Sequence, residues 1–135
     1  MASRLNPYIH FNGDARAAME FYQGVFGGEL ATNTFGEFGA SHGPDDDDKI
    51  MHSQLETPSG YTLMASDTPT GMDYNPGESI TISLSGDDAE LRDVYEKLSD
   101  GGKVTMPMEK QQWGDEFGMV TDKFGINWMV NISAG

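Results

Sequence analysis

Two stretches decide the fold: residues 14–28, DARAAMEFYQGVFGG, and residues 87–102, DDAELRDVYEKLSDGG. In the first, Ala18, Phe21, Tyr22 and Val25 recur at i, i+3, i+4 and i+7. In the second, Leu91, Val94, Tyr95 and Leu98 do the same. That spacing lays one apolar stripe along an α-helix. Each stretch closes on Gly-Gly, and glycine readily takes the left-handed conformation common just past a helix C-terminus. The helix starts, at 14 and 87, lie 73 residues apart and the Gly-Gly pairs 74 apart. Self-similarity at so long a period points to a duplicated supersecondary unit. Asp87, with Glu90 three residues on, has the pattern of a capping box with Asp as the cap.

The flanks of the two helices share one order. Before the first helix, Leu5–Asn12 reads as a strand ending at the turn residues Gly13-Asp14. After it come three strand-like runs, 29–35, 50–56 and 61–66, the last two joined by Thr57-Pro58-Ser59-Gly60 as a hairpin turn. Before the second helix, 79–85 alternates Ile80, Ile82 and Leu84 with Thr81 and Ser83, a half-buried strand. After it follow 103–106, 117–121 and 126–132, with Asp122-Lys123-Phe124-Gly125 turning between the last two. The expected architecture is therefore α+β, two βαβββ modules at about 5–67 and 79–132 joined by a Pro- and Gly-containing linker at 68–78. One such module cannot bury both faces of its sheet, so the two should pack or pair. Residues 36–49, with Asp45 to Asp48 in a row, are expected to form a solvated, mobile loop, because adjacent like charges repel. Asp45–Lys49 also has the sequence that enteropeptidase cleaves.

Composition bounds the function. The chain has 135 residues, the length of one ordinary domain. It carries 8 Lys+Arg against 22 Asp+Glu, a formal net charge of -14. Nucleic-acid binding needs a basic footprint that releases counterions from phosphate, and anionic membranes attract the same positive charge. No nucleic-acid or membrane partner is therefore expected. The acidity fits either a high-salt organism or a cationic ligand. Without cysteine there is no disulfide, thiol nucleophile, zinc ribbon or iron–sulfur cluster. The N-terminal residues lack the apolar core of a signal peptide, and no apolar run approaches the ~20 residues of a membrane span. A cytoplasmic location is expected.

Several stretches carry a resemblance to a known family. They are Leu5-Asn6-Pro7-Tyr8, Asn12-Gly13-Asp14, Glu20-Phe21-Tyr22, Phe26-Gly27-Gly28, Lys49-Ile50-Met51-His52, Leu63 to Asp67 and Gly101 to Pro107. The tail adds Trp113-Gly114, Phe117-Gly118, Asp122, Phe124-Gly125, Trp128 and Asn131. Together these resemble the PhnB-like branch of the vicinal oxygen chelate superfamily, which includes glyoxalase I, extradiol dioxygenases and bleomycin-resistance proteins. The resemblance implies the glyoxalase/bleomycin resistance fold, a curved mixed sheet with the helices outside, and a homodimer. Members of the branch often bear a demethylubiquinone methyltransferase label. No glycine-rich loop stands here between a strand and a helix to hold a nucleotide-like cofactor, which argues against that activity.

The superfamily's metal-dependent enzymes chelate a divalent ion through four residues of the first and last strands of each module. Carried onto this chain with Asp14 and Phe21-Tyr22 as anchors, those positions fall at Pro7, Met64, Thr81 and Met129. Proline has no donor, threonine is a weak neutral one, and thioethers suit soft metals. No metal and no cofactor is expected. His10, His42 and His52 share no ligand spacing on one element; His52 belongs to a stretch that carries the resemblance and can donate to or accept from a ligand as a neutral imidazole.

What is left is a concave face. Strand parity counted from the same positions turns Ile9, Phe11, Met64, Thr81, Ser83, Asn127 and Met129 toward it, and leaves Ile126, Trp128, Val130 and Ile132 as core. On the first strand this parity puts His10 on the helix side. Trp113, in a loop, serves as an aromatic wall or lid, or closes a barrel end or a dimer seam. Such a lining suits a small, mostly apolar molecule oriented by a few polar groups. The nine methionines serve either as core filling or as an adaptable binding surface. Three functions follow: a metal-free binder of a small, partly apolar molecule; a glyoxalase- or dioxygenase-type enzyme with a metal displaced to His10 or His52; and an assembly or regulatory protein with a vestigial pocket. No catalytic residue is assigned, and whether the chain is an enzyme stays open.

Overall fold

The computed structural model describes residues 4–133. Met1–Ser3, part of the stretch read for a leader, lie outside them. The chain falls into two compact units that divide between Pro76 and Gly77. The first contains β1 (Tyr8–Phe11), α1 (Ala15–Phe26), β2 (Glu29–Thr34), β3 (Ile50–Glu56) and β4 (Thr62–Asp67). The second contains β5 (Ile82–Gly86), α2 (Glu90–Ser99), β6 (Lys103–Lys110), β7 (Glu116–Thr121) and β8 (Asn127–Ile132). Each unit is βαβββ, and each builds one four-stranded mixed sheet, ordered β1-β4-β3-β2 and β5-β8-β7-β6. In both, the first strand runs parallel to the last and the other pairings are antiparallel. No helix among the described residues is long and apolar enough to cross a membrane.

Each helix covers one face of its own sheet. In the first unit, the α1 stripe of Ala15, Ala18, Met19, Tyr22 and Val25 is buried along with Phe11, Ile50, Leu55, Leu63 and Ala65 from the sheet. Met19 takes the place that the spacing gives to Phe21. In the second, Leu91, Tyr95 and Leu98 of α2 are buried, as are Leu84, Val120, Trp128, Val130 and Ile132. Side chains alternate along a strand, so, past the register shift that separates Ile50 from the rest of β3, the residues between these point to the opposite face.

The repeated Gly-Gly has a geometric cause. Gly27 and Gly101 both have positive φ, 75° and 76°, which L side chains rarely adopt. The second glycine of each pair lies against the backbone of the facing hairpin. A Cβ on Gly28 would stand 2.1 Å from the Glu56 carbonyl oxygen, and one on Gly102 would stand 2.4 Å from that of Thr121. The helix can turn back onto its sheet only where a side chain is missing.

In the second unit, three boundaries differ from the sequence expectation by three residues or more. β6 runs to Lys110, past Pro107, because it is an edge strand interrupted by register shifts, where a missing N–H costs no ladder bond. β5 starts at Ile82, so Thr81 precedes it. α2 starts at Glu90, and Asp88 rather than Asp87 serves its first turn, its Oδ1 accepting from the Glu90 N–H at 2.9 Å.

The acidic loop is the largest departure. Asp45, Asp47 and Asp48 are exposed, but Asp46 is fully buried. Its carboxylate accepts from the Thr70 hydroxyl at 2.7 Å and from the backbone N–H groups of His42 and Thr70, and lies 3.2 Å from the Lys49 ammonium. A carboxylate so surrounded is buried without an unmet acceptor. The Thr70 hydroxyl bond holds the Asp46 carboxyl well below the usual carboxylate range; burial opposes this, and the His42 and Thr70 N–H groups and Lys49 reinforce it.

The sign of the pH effect follows. A depressed native pKa stabilises the fold fully above the unfolded value of about 3.9, and that stabilisation is lost as pH falls. The stability gap between wild type and Asp46→Asn should be constant above about pH 5 and shrink steadily below about pH 4. Urea midpoints at several pH values measure it; a gap unchanged down to pH 3 would contradict the assignment.

The same packing shields the enteropeptidase-like site. Ile50, which follows Lys49, is buried, begins β3, and donates its N–H to Asp67 Oδ2 at 2.9 Å. Folded protein should resist enteropeptidase at Lys49–Ile50, and protein held unfolded in a urea concentration that the protease tolerates should be cut there. Mass spectrometry of the digests reads both results.

Candidate functional site

β4 lies inside the first sheet, between β1 and β3, and this places the groups of interest. Tyr8 pairs with Met64, which pairs with Gln54, which pairs with Ala31, one row across the sheet. In the next row His10 sits beside Ser66 and His52 beside Asn33. Both rows are on the face opposite α1, because the residues alternating with them (Phe11, Ser53, Leu55 and Ala65) are buried on the α1 side.

On that face Tyr8, His10 and His52 form one ring cluster. The Tyr8 ring centroid is 5.3 Å from that of His10 and 5.8 Å from that of His52, both pairs tilted and within the usual range for aromatic contacts. Tyr8 Oη lies 3.3 Å from His52 Nδ1, and Ser66 Oγ lies 3.5 Å from His10 Nδ1. Tyr8 is 43% exposed and His10 is exposed as well. The phenol, the imidazoles and the Ser66 hydroxyl are all capable donors, and the Met64 thioether beside Tyr8 adds a polarizable apolar patch.

The expected site residues separate accordingly. His52 and Met64 lie on this face. Ile9 and Phe11 do not: Ile9 pairs with buried Ala65, and Phe11, 1% exposed, is core on the α1 side. The parity was anchored on Pro7, but Met64 pairs with Tyr8, and a one-residue slip turns every side chain of a strand to the other face. Tyr8 and His10 are the residues that this slip hid. The signal available was the placement of a polar His10 on the helix side.

In the second unit, Ser83 pairs with Met129 as Tyr8 pairs with Met64, on the face opposite α2. Asn127 pairs with Thr121, whose hydroxyl donates to Asn127 Oδ1 at 2.8 Å. Thr81 lies one residue before β5. Trp113, in the turn between β6 and β7, is 63% exposed, its ring edge-on to Phe117 at 6.3 Å. Asn131 donates to Asp115 at 3.0 Å.

This register also tests the superfamily's metal. The strand positions become Tyr8, Met64, Ser83 and Met129, a phenol, a hydroxyl and two thioethers. Weak neutral oxygens and soft sulfurs do not fit a hard or borderline divalent ion. Among the described residues, no three His, Asp or Glu side chains are grouped to hold a metal ion.

Comparison with known proteins places the chain. A family model described as 3-demethylubiquinone-9 3-methyltransferase matches residues 3–131. The structure of protein PA1353 from Pseudomonas aeruginosa is similar at 40% identity, with 98% of each chain covered and a TM-score of 0.81. A PhnB protein from Bacillus cereus, bearing the same methyltransferase description, is 21% identical over 97% of this chain and 100% of that one, with a TM-score of 0.77. A glyoxylase/bleomycin resistance protein/dioxygenase domain from Frankia sp. EAN1pec shares the fold at 16% identity, with 98% of each chain covered and a TM-score of 0.65. With nearly its whole length matched, the chain belongs to the family described as 3-demethylubiquinone-9 3-methyltransferase, and it has the glyoxalase/bleomycin resistance fold.

Proposed function

We propose that the protein binds a small, partly apolar molecule on the face of the first sheet opposite α1, without the metal centre of the superfamily's enzymes. The observation that carries this reading is the Tyr8–His10–His52 ring cluster beside Met64, an apolar bed with donors at its rim. The ill-suited donors at the former metal positions support the metal-free form. The methyltransferase description supplies no step, since both strand-to-helix connections, Asn12-Gly13-Asp14 and Asp87-Asp88-Ala89, lack a glycine-rich loop. The reading includes one domain made of both modules, a homodimer, and a cytoplasmic location.

Native mass spectrometry of untagged protein, purified without chelator or added metal, tests it. The expected spectrum is a dimer carrying a small organic adduct. A stoichiometric divalent ion would overturn the metal-free reading and favour the enzyme alternative.

A further inference from the structure

We propose that the ligand of this face is an anion, a planar aromatic or conjugated body bearing a carboxylate. The proposal rests on the binding reading above and adds a charge to it. The whole chain holds 22 Asp+Glu against 8 Lys+Arg and 3 His. Yet neither of the two rows opposite α1 holds an Asp or Glu, and two of the three histidines stand there. Acidic side chains stand at the margins, where Glu29 pairs with Glu56 and where Glu37 accepts from the backbone N–H and hydroxyl of Thr34, the residue after Asn33. Glu56 is itself occupied, lying 3.8 Å from Arg4 and accepting from the Gln54 amide at 3.2 Å. In so acidic a protein, a patch without carboxylates that groups two imidazoles, a phenol and a serine hydroxyl is complementary to negative charge.

The geometry narrows the class further. Tyr8 Oη···His52 Nδ1 at 3.3 Å and Ser66 Oγ···His10 Nδ1 at 3.5 Å are long for hydrogen bonds made by a hydroxyl, which are usually nearer 2.7–2.8 Å. These groups are gathered without being tightly bonded to one another, so a carboxylate can take their donors at little cost. The ring faces and the Met64 thioether then receive the flat body of the ligand.

The test compares two probes with one body, 2-naphthoate and 2-naphthamide, titrated in the same buffer, in which the naphthoate is fully ionised. Shifts of the Met64 methyl and of the His10 and His52 ring protons report binding. Naphthoate should bind about tenfold tighter than the amide, as one added charge-assisted contact allows. The doubly substituted His10→Phe/His52→Phe protein should lose that preference and keep its affinity for the amide. Equal binding of both probes to the wild type would overturn the anion assignment and leave the binding reading standing. Failure of both to move these resonances would overturn the two together. The wild-type comparison decides even if the double variant does not fold.

Discussion

Asp67→Ala should destabilise the first unit by about 3–6 kcal/mol, from three stranded backbone donors at about 1–3 kcal/mol each, less what entering water recovers. Asp67 ends β4, is 3% exposed, and holds three segments at once. Its Oδ1 accepts from the N–H groups of Gly13 at 2.8 Å and Ala15 at 2.9 Å, and its Oδ2 from that of Ile50 at 2.9 Å. It thus takes the place of an N-cap for α1, where Asp14 makes no side-chain cap bond, and it pins the start of β3. Asp67→Asn separates these tasks. Its amide oxygen can still accept from Gly13 and Ala15, but its NH2 would face the Ile50 N–H, donor against donor. A loss of about 1–3 kcal/mol is expected for Asn, well short of that for Ala. Urea denaturation measures both. The Ala variant should also open the Lys49–Ile50 bond to enteropeptidase; an Ala variant within about 1 kcal/mol of wild type would refute the role given to this carboxylate.

Such a residue shows what a sequence displays and what it hides. The helices, the Gly-Gly stops and the hairpins were legible because each depends on neighbours along the chain: Ala18, Tyr22 and Val25 declare a stripe, and Thr57 to Gly60 declare a turn. Asp67 was legible only as part of a stretch resembling a family. Its partners at 13 and 15 are brought to it by the parallel pairing of β1 with β4, which no local spacing encodes, and Ile50 by the antiparallel pairing of β3 with β4. Asp46 failed in the opposite sense. Four aspartates in a row have the composition of a solvated run, but burial is decided one side chain at a time, and Thr70, 24 residues away, supplies the bonds that bring one of them inside.

The candidate site was less legible than the fold for the same reason. Tyr8 and His52 are 44 residues apart and meet across an intervening strand. Finding them from the sequence required a register correct to one residue, and Pro7 supplied one that was off by that amount. The fold tolerates such an error because core and turns are redundantly specified. The site does not, because one step exchanges Ile9 and Phe11 for Tyr8 and His10.

Asp122→Ala should cost the second unit about 2–4 kcal/mol, somewhat less than the loss at Asp67 because two of the three donors it releases are only partly buried. Asp122 Oδ1 accepts from the N–H groups of Phe124 at 2.9 Å and Ile126 at 3.1 Å, shaping the turn between β7 and β8. Its Oδ2 accepts from Trp128 Nε1 at 2.8 Å, and Trp128 is 1% exposed. An indole buried this deeply needs a partner for its N–H. Trp128→Phe removes that donor while keeping an aromatic ring, and should cost about 1–3 kcal/mol. The decisive measurement is the double-mutant cycle. If the carboxylate–indole bond ties the turn to the core, either substitution alone breaks it, and the paired variant should lose less than the two single losses together, by about 1 kcal/mol or more. Additive losses would mean that turn and core are secured independently. Asp122, Phe124-Gly125 and Trp128 all belong to the tail that most strongly carries the family resemblance, and in this structure their work is to hold a turn on a core.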